Sequence, residues 1–138
     1  HRVDRRQRQM CIRDSTGFGL LGHTLELARG ARLVARLDWP KVPLLDGARA
    51  LVERGFVTGA SGRNWAGYGH DVSVPGAFAA EDRALLTDPQ TSGGLLVSCR
   101  PDAVGEVLAI FRRHGFDAAA EIGSIEASDG GRPRLRVG

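Results

Sequence analysis

Two stretches of this chain carry the residue types that handle phosphate and metal ions. The first is Asp14-Ser15-Thr16-Gly17-Phe18-Gly19, a carboxylate and two hydroxyls beside paired glycines, followed at once by an apolar-periodic segment. Glycines let backbone approach a ligand closely, and a helix N-terminus favours anions. A carboxylate beside a phosphate is the usual recruiter of Mg2+. No Gly-Lys-Ser/Thr follows, so the stretch is not a Walker A loop. On its residues alone it is either an anion site or a helix with a tight glycine turn at its start. The second stretch is Asp88-Pro89-Gln90-Thr91-Ser92-Gly93-Gly94, leading into the apolar Leu95. Hydroxyls and glycines at a strand edge can offer backbone N–H groups to an anion, or form a polar turn and nothing more. The four histidines and two cysteines have no metal-ligand spacing. His23 reads as a helical histidine satisfied by a neighbour, His70 as exposed beside Asp71, and His114 as a favourable charge at a helix C-terminus. Trp39 and Trp65 read as packing residues, since no basic stripe accompanies them.

The elements that must position these stretches follow from periodicity. Apolar residues at Phe18, Leu20, Leu21, Leu25, Leu27 and Ala28 predict a helix, with Thr16 as its cap and Gly30 as its stop. Alternation over 32–38 predicts a half-buried strand. Residues 44–54 predict a short amphipathic helix with Leu44, Leu45, Ala48, Leu51 and Val52 on its inner face and Gly55 ending it. Residues 57–76 are rich in Gly, Ser and Asn, lack a sustained period, and read as a long loop holding Asn64. Residues 81–87 suggest a short helical turn or strand. The run 94–99 reads as a buried strand. Residues 101–114 read as a helix facing the core with Val104, Val107, Leu108 and Phe111. Segments 117–126 and 132–137 read as two closing strands around a turn at 128–131. Helices alternating with strands imply an α/β (α+β) layered sandwich.

The 138 residues suit one domain, and 42% hydrophobic with 25% charged residues is ordinary for a globular chain. No apolar run approaches the roughly 18 residues of a membrane span, so a soluble, cytoplasmic protein is expected. The net charge of +3 resides in residues 1–14, where five arginines face two aspartates. The remainder is neutral, which argues against a nucleic-acid partner. Residues 1–14 are polar and aperiodic, and read as a disordered arm or as sequence foreign to the domain. A start at His1 fits a fragment, and the domain proper is expected over 15–138.

TGFGLLGH at 16–23 and DPQTSGGLL at 88–96 resemble the two signature strings of the selenophosphate synthetase C-terminal domain. KVPLL at 41–45 and GRNWAGYG at 62–69 are similar to the family in the same order, and the likeness covers residues 14–138. Other members of the superfamily that includes aminoimidazole ribonucleotide synthetase carry different strings at 88–96. The resemblance implies the C-terminal α/β domain of that superfamily. It implies an enzyme that makes selenophosphate, AMP and phosphate from selenide, ATP and water. The implied partners are an N-terminal ATP-loop domain absent from this chain and a second copy in a homodimer. That missing domain would hold the catalytic residues, so none is assigned here, and Cys11 is not the family's catalytic cysteine.

By the same resemblance, Asp14 stands where the family's aspartate binds Mg2+ bridging the ATP phosphates, although Arg13 and Ser15 replace the usual Thr and Val around it. Thr16, Gly17, Gly19, Thr91, Ser92 and Gly93 are the implied cleft residues, and Asn64 can cover the substrate side. The alternatives are a stand-alone binding module of this fold, or a superfamily enzyme acting on another acceptor.

Overall fold

The computed structural model describes residues 10–14, 17–90, 94–128, 131 and 133–138, with 10–14 described through their backbone. In chain order the elements are β1 (Met10–Asp14), α1 (Gly19–Ala31), β2 (Leu33–Leu37), α2 (Ala48–Glu53), α3 (Gly59–Tyr68), β3 (Val72–Ser73), α4 (Ala80–Thr87), β4 (Leu95–Cys99), α5 (Val104–Arg113), β5 (Gly123–Ala127) and β6 (Leu135–Val137). Short 3-10 turns cover Trp39–Lys41, Gly69–Asp71 and Pro101–Ala103. The expected α/β class is borne out.

Spacing dictates the core. Leu21, Leu25 and Ala28 recur at i, i+4 and i+7, which places them on one stripe of α1, and all three are fully buried. They meet Ala35 and Leu37 of β2, Leu135 and Val137 of β6, Val72 of β3, Tyr68 of α3 and Leu86 of α4. The main sheet runs β3-β6-β2-β5. Strand β6 is parallel to both β2 and β3, whereas β5 is antiparallel to β2. The two closing strands are therefore not a hairpin, because β2 lies between them. Strand β1 pairs antiparallel with β4 as a separate two-stranded sheet. Residues 10–14, which composition assigned to an unordered arm, thus supply backbone pairing. Among the described residues no helix is long and apolar enough to cross a membrane.

Several local expectations change for physical reasons. Helix α1 runs through Gly30 and stops at Arg32, a left-handed residue (φ 56°) whose N–H reaches the Ala28 and Arg29 carbonyls. Its first residue is Gly19, and its N-cap position, Phe18, makes no side-chain cap bond. Thr16, the expected cap, lies outside the described residues. Helix α2 is shorter than 44–54 and leaves out Leu44 and the 82% exposed Leu45; of its expected inner face Ala48 and Val52 are half-buried and Leu51 is exposed. The stretch 57–76 holds α3 instead of a loop. Thr58 caps α3 by accepting a hydrogen bond from the Ser61 N–H, and Ser61, Trp65 and Tyr68 form its inward face. A serine in that stripe hides the apolar period. Strand β4 is not buried as expected, since Leu95 is 55% exposed and β1 is its only ladder partner among the described residues. The apolar residues of α5 are half-buried at most. Trp39 and Trp65 do pack against the core.

His70 is exposed as expected, whereas its neighbour Asp71 is 2% exposed. Its Oδ2 accepts from Arg29 Nε and Nη2 at 3.2 and 2.9 Å, and its Oδ1 accepts from the Arg134 N–H at 3.1 Å. One carboxylate therefore ties the end of α1 to the approaches of β3 and β6. Asp71→Asn leaves the guanidinium without its counter-charge and is expected to lower stability by about 2 kcal/mol. Urea unfolding would show this as a lower midpoint at unchanged slope, and an unchanged midpoint would show that the pair contributes nothing.

Candidate functional site

Three constraints bring the described start of α1, in the first stretch, to the residue that precedes the second. The first is register. Asp14 at the end of β1 is paired with Leu95 at the start of β4. The stretch that leaves β1 and the stretch that enters β4 therefore emerge at the same end of that ladder.

The second constraint is a close backbone approach. Gly19 has φ +72°, and a Cβ there would lie 2.7 Å from the carbonyl carbon of Thr87 and 2.8 Å from its oxygen. Only glycine tolerates both the dihedral and the space. The mouth of α1 is thus pressed against the last residue of α4, one position before Asp88.

The third constraint is Asn64. Its amide donates to the Gly17 carbonyl and to the Thr87 carbonyl, both at 3.0 Å. A carboxamide has two N–H donors, and here they join the first stretch to the residue that immediately precedes the second. One turn further along α3, the Tyr68 hydroxyl donates to the Phe18 carbonyl at 2.6 Å. Burial pushes the Tyr68 phenol up to about 12, opposed by a smaller hydrogen-bond contribution at Gly22, so it stays a donor through the physiological range. Helix α3 is itself fixed to α4, since the hydroxyls of Ser61 and Thr87 bond to each other and Ser61 also donates to the Ala84 carbonyl.

The backbone at this junction changes hand between two consecutive residues. Phe18 lies at φ −94°, ψ 1° and is followed by Gly19 at φ +72°. A near-αR residue followed by a left-handed one turns successive N–H groups toward a common point. The first N–H groups of a helix also lack intrahelical partners. On the second stretch, the Asp88 carboxyl is half-buried and accepts from Gln90 Nε2 at 2.9 Å. Burial raises its affinity for a proton, and the Gln90 bond opposes that.

Of the residues singled out by sequence, Gly17, Gly19 and Asn64 belong to this junction, and the backbone of Asp14 is paired with Leu95 at the end of β1. Asn64 sits on α3, not in a loop. Thr16, Thr91, Ser92 and Gly93 lie outside the described residues. His23 is buried within α1, with Nδ1 3.4 Å from Glu26 Oε2 and its ring centroid 5.9 Å from that of Phe18. Sequence reasoning missed Tyr68 and Thr87. Tyr68 is four residues after Asn64, the spacing that puts two side chains on one helix face, but that signal needs α3 to be recognised first.

Two outcomes are expected. Gly19→Ala forces a strained φ and a backbone collision, and is expected to cost about 2 kcal/mol or more, read as a fall in thermal midpoint. Raising the pH from 10 to 12 should lower stability, because the native state keeps the Tyr68 proton while the unfolded chain loses it. The Tyr68 contribution is complete below pH 10 and lost as pH rises through about 12. Tyr68→Phe should flatten that decline in a series of thermal melts, and an identical slope would count against it.

Comparison with known proteins shows the family. Residues 4–136 match the family described as AIR synthase related protein, C-terminal domain. A selenide, water dikinase of Pseudomonas straminea is 58% identical over 127 residues, covering 92% of this chain and 35% of the relative. One from Burkholderia pseudomallei is 62% identical over 114 residues, covering 83% and 32% respectively. One from Rhizobium meliloti is 48% identical over 116 residues, covering 84% and 33%. The chain spans about a third of the length of these relatives. With its whole organised part matched, the chain belongs to the AIR synthase related protein family, as a C-terminal domain.

Proposed function

We propose that this chain is the C-terminal part of a selenide, water dikinase, which converts selenide, ATP and water to selenophosphate, AMP and phosphate. The junction described above carries the reading: one stretch suited to phosphate is joined at the mouth of a helix, by Asn64 and by the Gly19–Thr87 contact, to the residue from which the other departs. The names of the similar proteins supply the substrate class.

Phosphoryl transfer asks little covalent chemistry of a protein. It needs donors and cations where charge is spread over the transferring group. In this reading the Phe18 and Gly19 N–H groups and the Thr16 hydroxyl bind phosphate oxygens from one side. Thr91, Ser92 and Gly93 line the other. Asn64 holds the two sides in register. The N-terminal portion of the full-length protein supplies the remaining wall and the catalytic residues, and the active form is a homodimer.

Mg2+ fits this donor set in one specific way. Among the described residues no group of three or more His, Cys, Asp or Glu could hold a metal, so a closed protein cage is not formed by them. Mg2+ is commonly bound by one or two carboxylates with phosphates completing its shell, and Asp14, at the strand end beside the junction, is the carboxylate for that role. The bound cation would neutralise charge on the phosphates.

The test is selenide-dependent formation of AMP from ATP by the full-length protein carrying this chain. Asp14→Asn is expected to reduce that rate about a hundredfold, with partial recovery at high Mg2+. ATP cleavage that ignores selenide would point to another acceptor, and no cleavage at all would favour a binding module.

A further inference from the structure

We propose that Tyr68 and Asn64 are positioning residues for this site, aiming the backbone N–H groups of Phe18 and Gly19 by holding the carbonyls on the other side of the same peptide planes. The inference rests on the phosphoryl-transfer reading above and deepens it.

In a trans peptide the C=O and the following N–H point in opposite directions. Asn64 holds the Gly17 carbonyl, so the Phe18 N–H is turned away from α3. Tyr68 holds the Phe18 carbonyl, so the Gly19 N–H is turned away from it as well. Two consecutive donors are thus oriented from behind by side chains that need not touch the ligand. Neither anchor has slack. Both Asn64 amide donors are used, on Gly17 and Thr87. Tyr68 is 8% exposed, and its ring lies where a Cβ on Gly22 would come within 3.0 Å of it and 2.6 Å of the Phe18 Cβ. This accounts for the third glycine of TGFGLLG. Gly22 leaves room for the ring that holds Phe18, and Phe18 itself stays 56% exposed.

Donors fixed in advance matter most where charge develops in the transition state, so loosening them should lower kcat more than it raises KM. In the full-length enzyme, Tyr68→Phe is expected to reduce kcat for selenide-dependent AMP formation about tenfold while KM for ATP stays within about twofold. Asn64→Leu, which removes both donors at similar volume, should act in the same direction, and it decides the matter if the Tyr68 variant does not fold. Asp71→Asn is the structural control: it should lower the melting temperature and leave kcat unchanged. A folded Tyr68→Phe or Asn64→Leu enzyme with wild-type kcat overturns the proposal. So does a loss of activity that merely tracks melting temperature across all three variants. A wild-type enzyme with no selenide-dependent activity is a separate result, which removes the functional reading and this inference with it.

Discussion

The contact between Gly19 and Thr87 is the constraint on which the rest is built. Two backbones approach so closely that a single methyl group at Gly19 would overlap the Thr87 carbonyl. Such an approach leaves no room for a side chain, and it sets the start of α1 directly against the end of α4. The hydrogen bonds from Asn64 and Tyr68 then have fixed targets. Because Thr87 immediately precedes Asp88, whatever holds Thr87 also holds the root of the second polar stretch.

The core sets the direction of α1, and the junction sets its end point. Leu21, Leu25 and Ala28 seat the helix on β2 and β6, while Arg29 near its far end is held by the buried Asp71. The helix is thus anchored at both ends by polar interactions and along its length by apolar burial. A buried carboxylate is costly unless paired and fully bonded, and here its two oxygens accept from a guanidinium and a backbone N–H. Burial of the core residues orients α1 broadly, but the non-directional hydrophobic effect does not specify where a particular N–H points. That is left to the short list of directional bonds at Gly17, Phe18 and Thr87.

The periphery is organised differently. The β1–β4 ladder stands apart from the main sheet, and the apolar residues of α5 remain partly open to solvent. Leu95, Ile110 and Phe116 are exposed at 55%, 42% and 62%. The junction belongs to the core regime: Gly19, Asn64 and Thr87 all come from elements packed on the core.

Much of this was written locally. The i, i+4, i+7 stripe of α1, the alternation of β2 and the apolar run of β4 each declare an element, because side-chain period follows backbone geometry. The two polar stretches could be picked out by composition, and the family resemblance they carried is borne out by the match over residues 4–136. Other features were illegible. Helix α3 hides behind glycines and an inward serine whose burial depends on a hydroxyl partner on α4. Strand β4 reads as core because apolar content does not reveal how many faces will be covered. The separation of β5 from β6 depends on β2 entering between them, a long-range choice without a local signature. By itself, then, the sequence determined the helix and strand periods and which residues are chemically equipped to meet phosphate. Only the tertiary structure decided that Asp14 lies across from Leu95, that Gly19 meets Thr87, and that Asn64 and Tyr68 stand behind the turn, since hydrogen-bond direction and backbone contact exist only between elements already packed together.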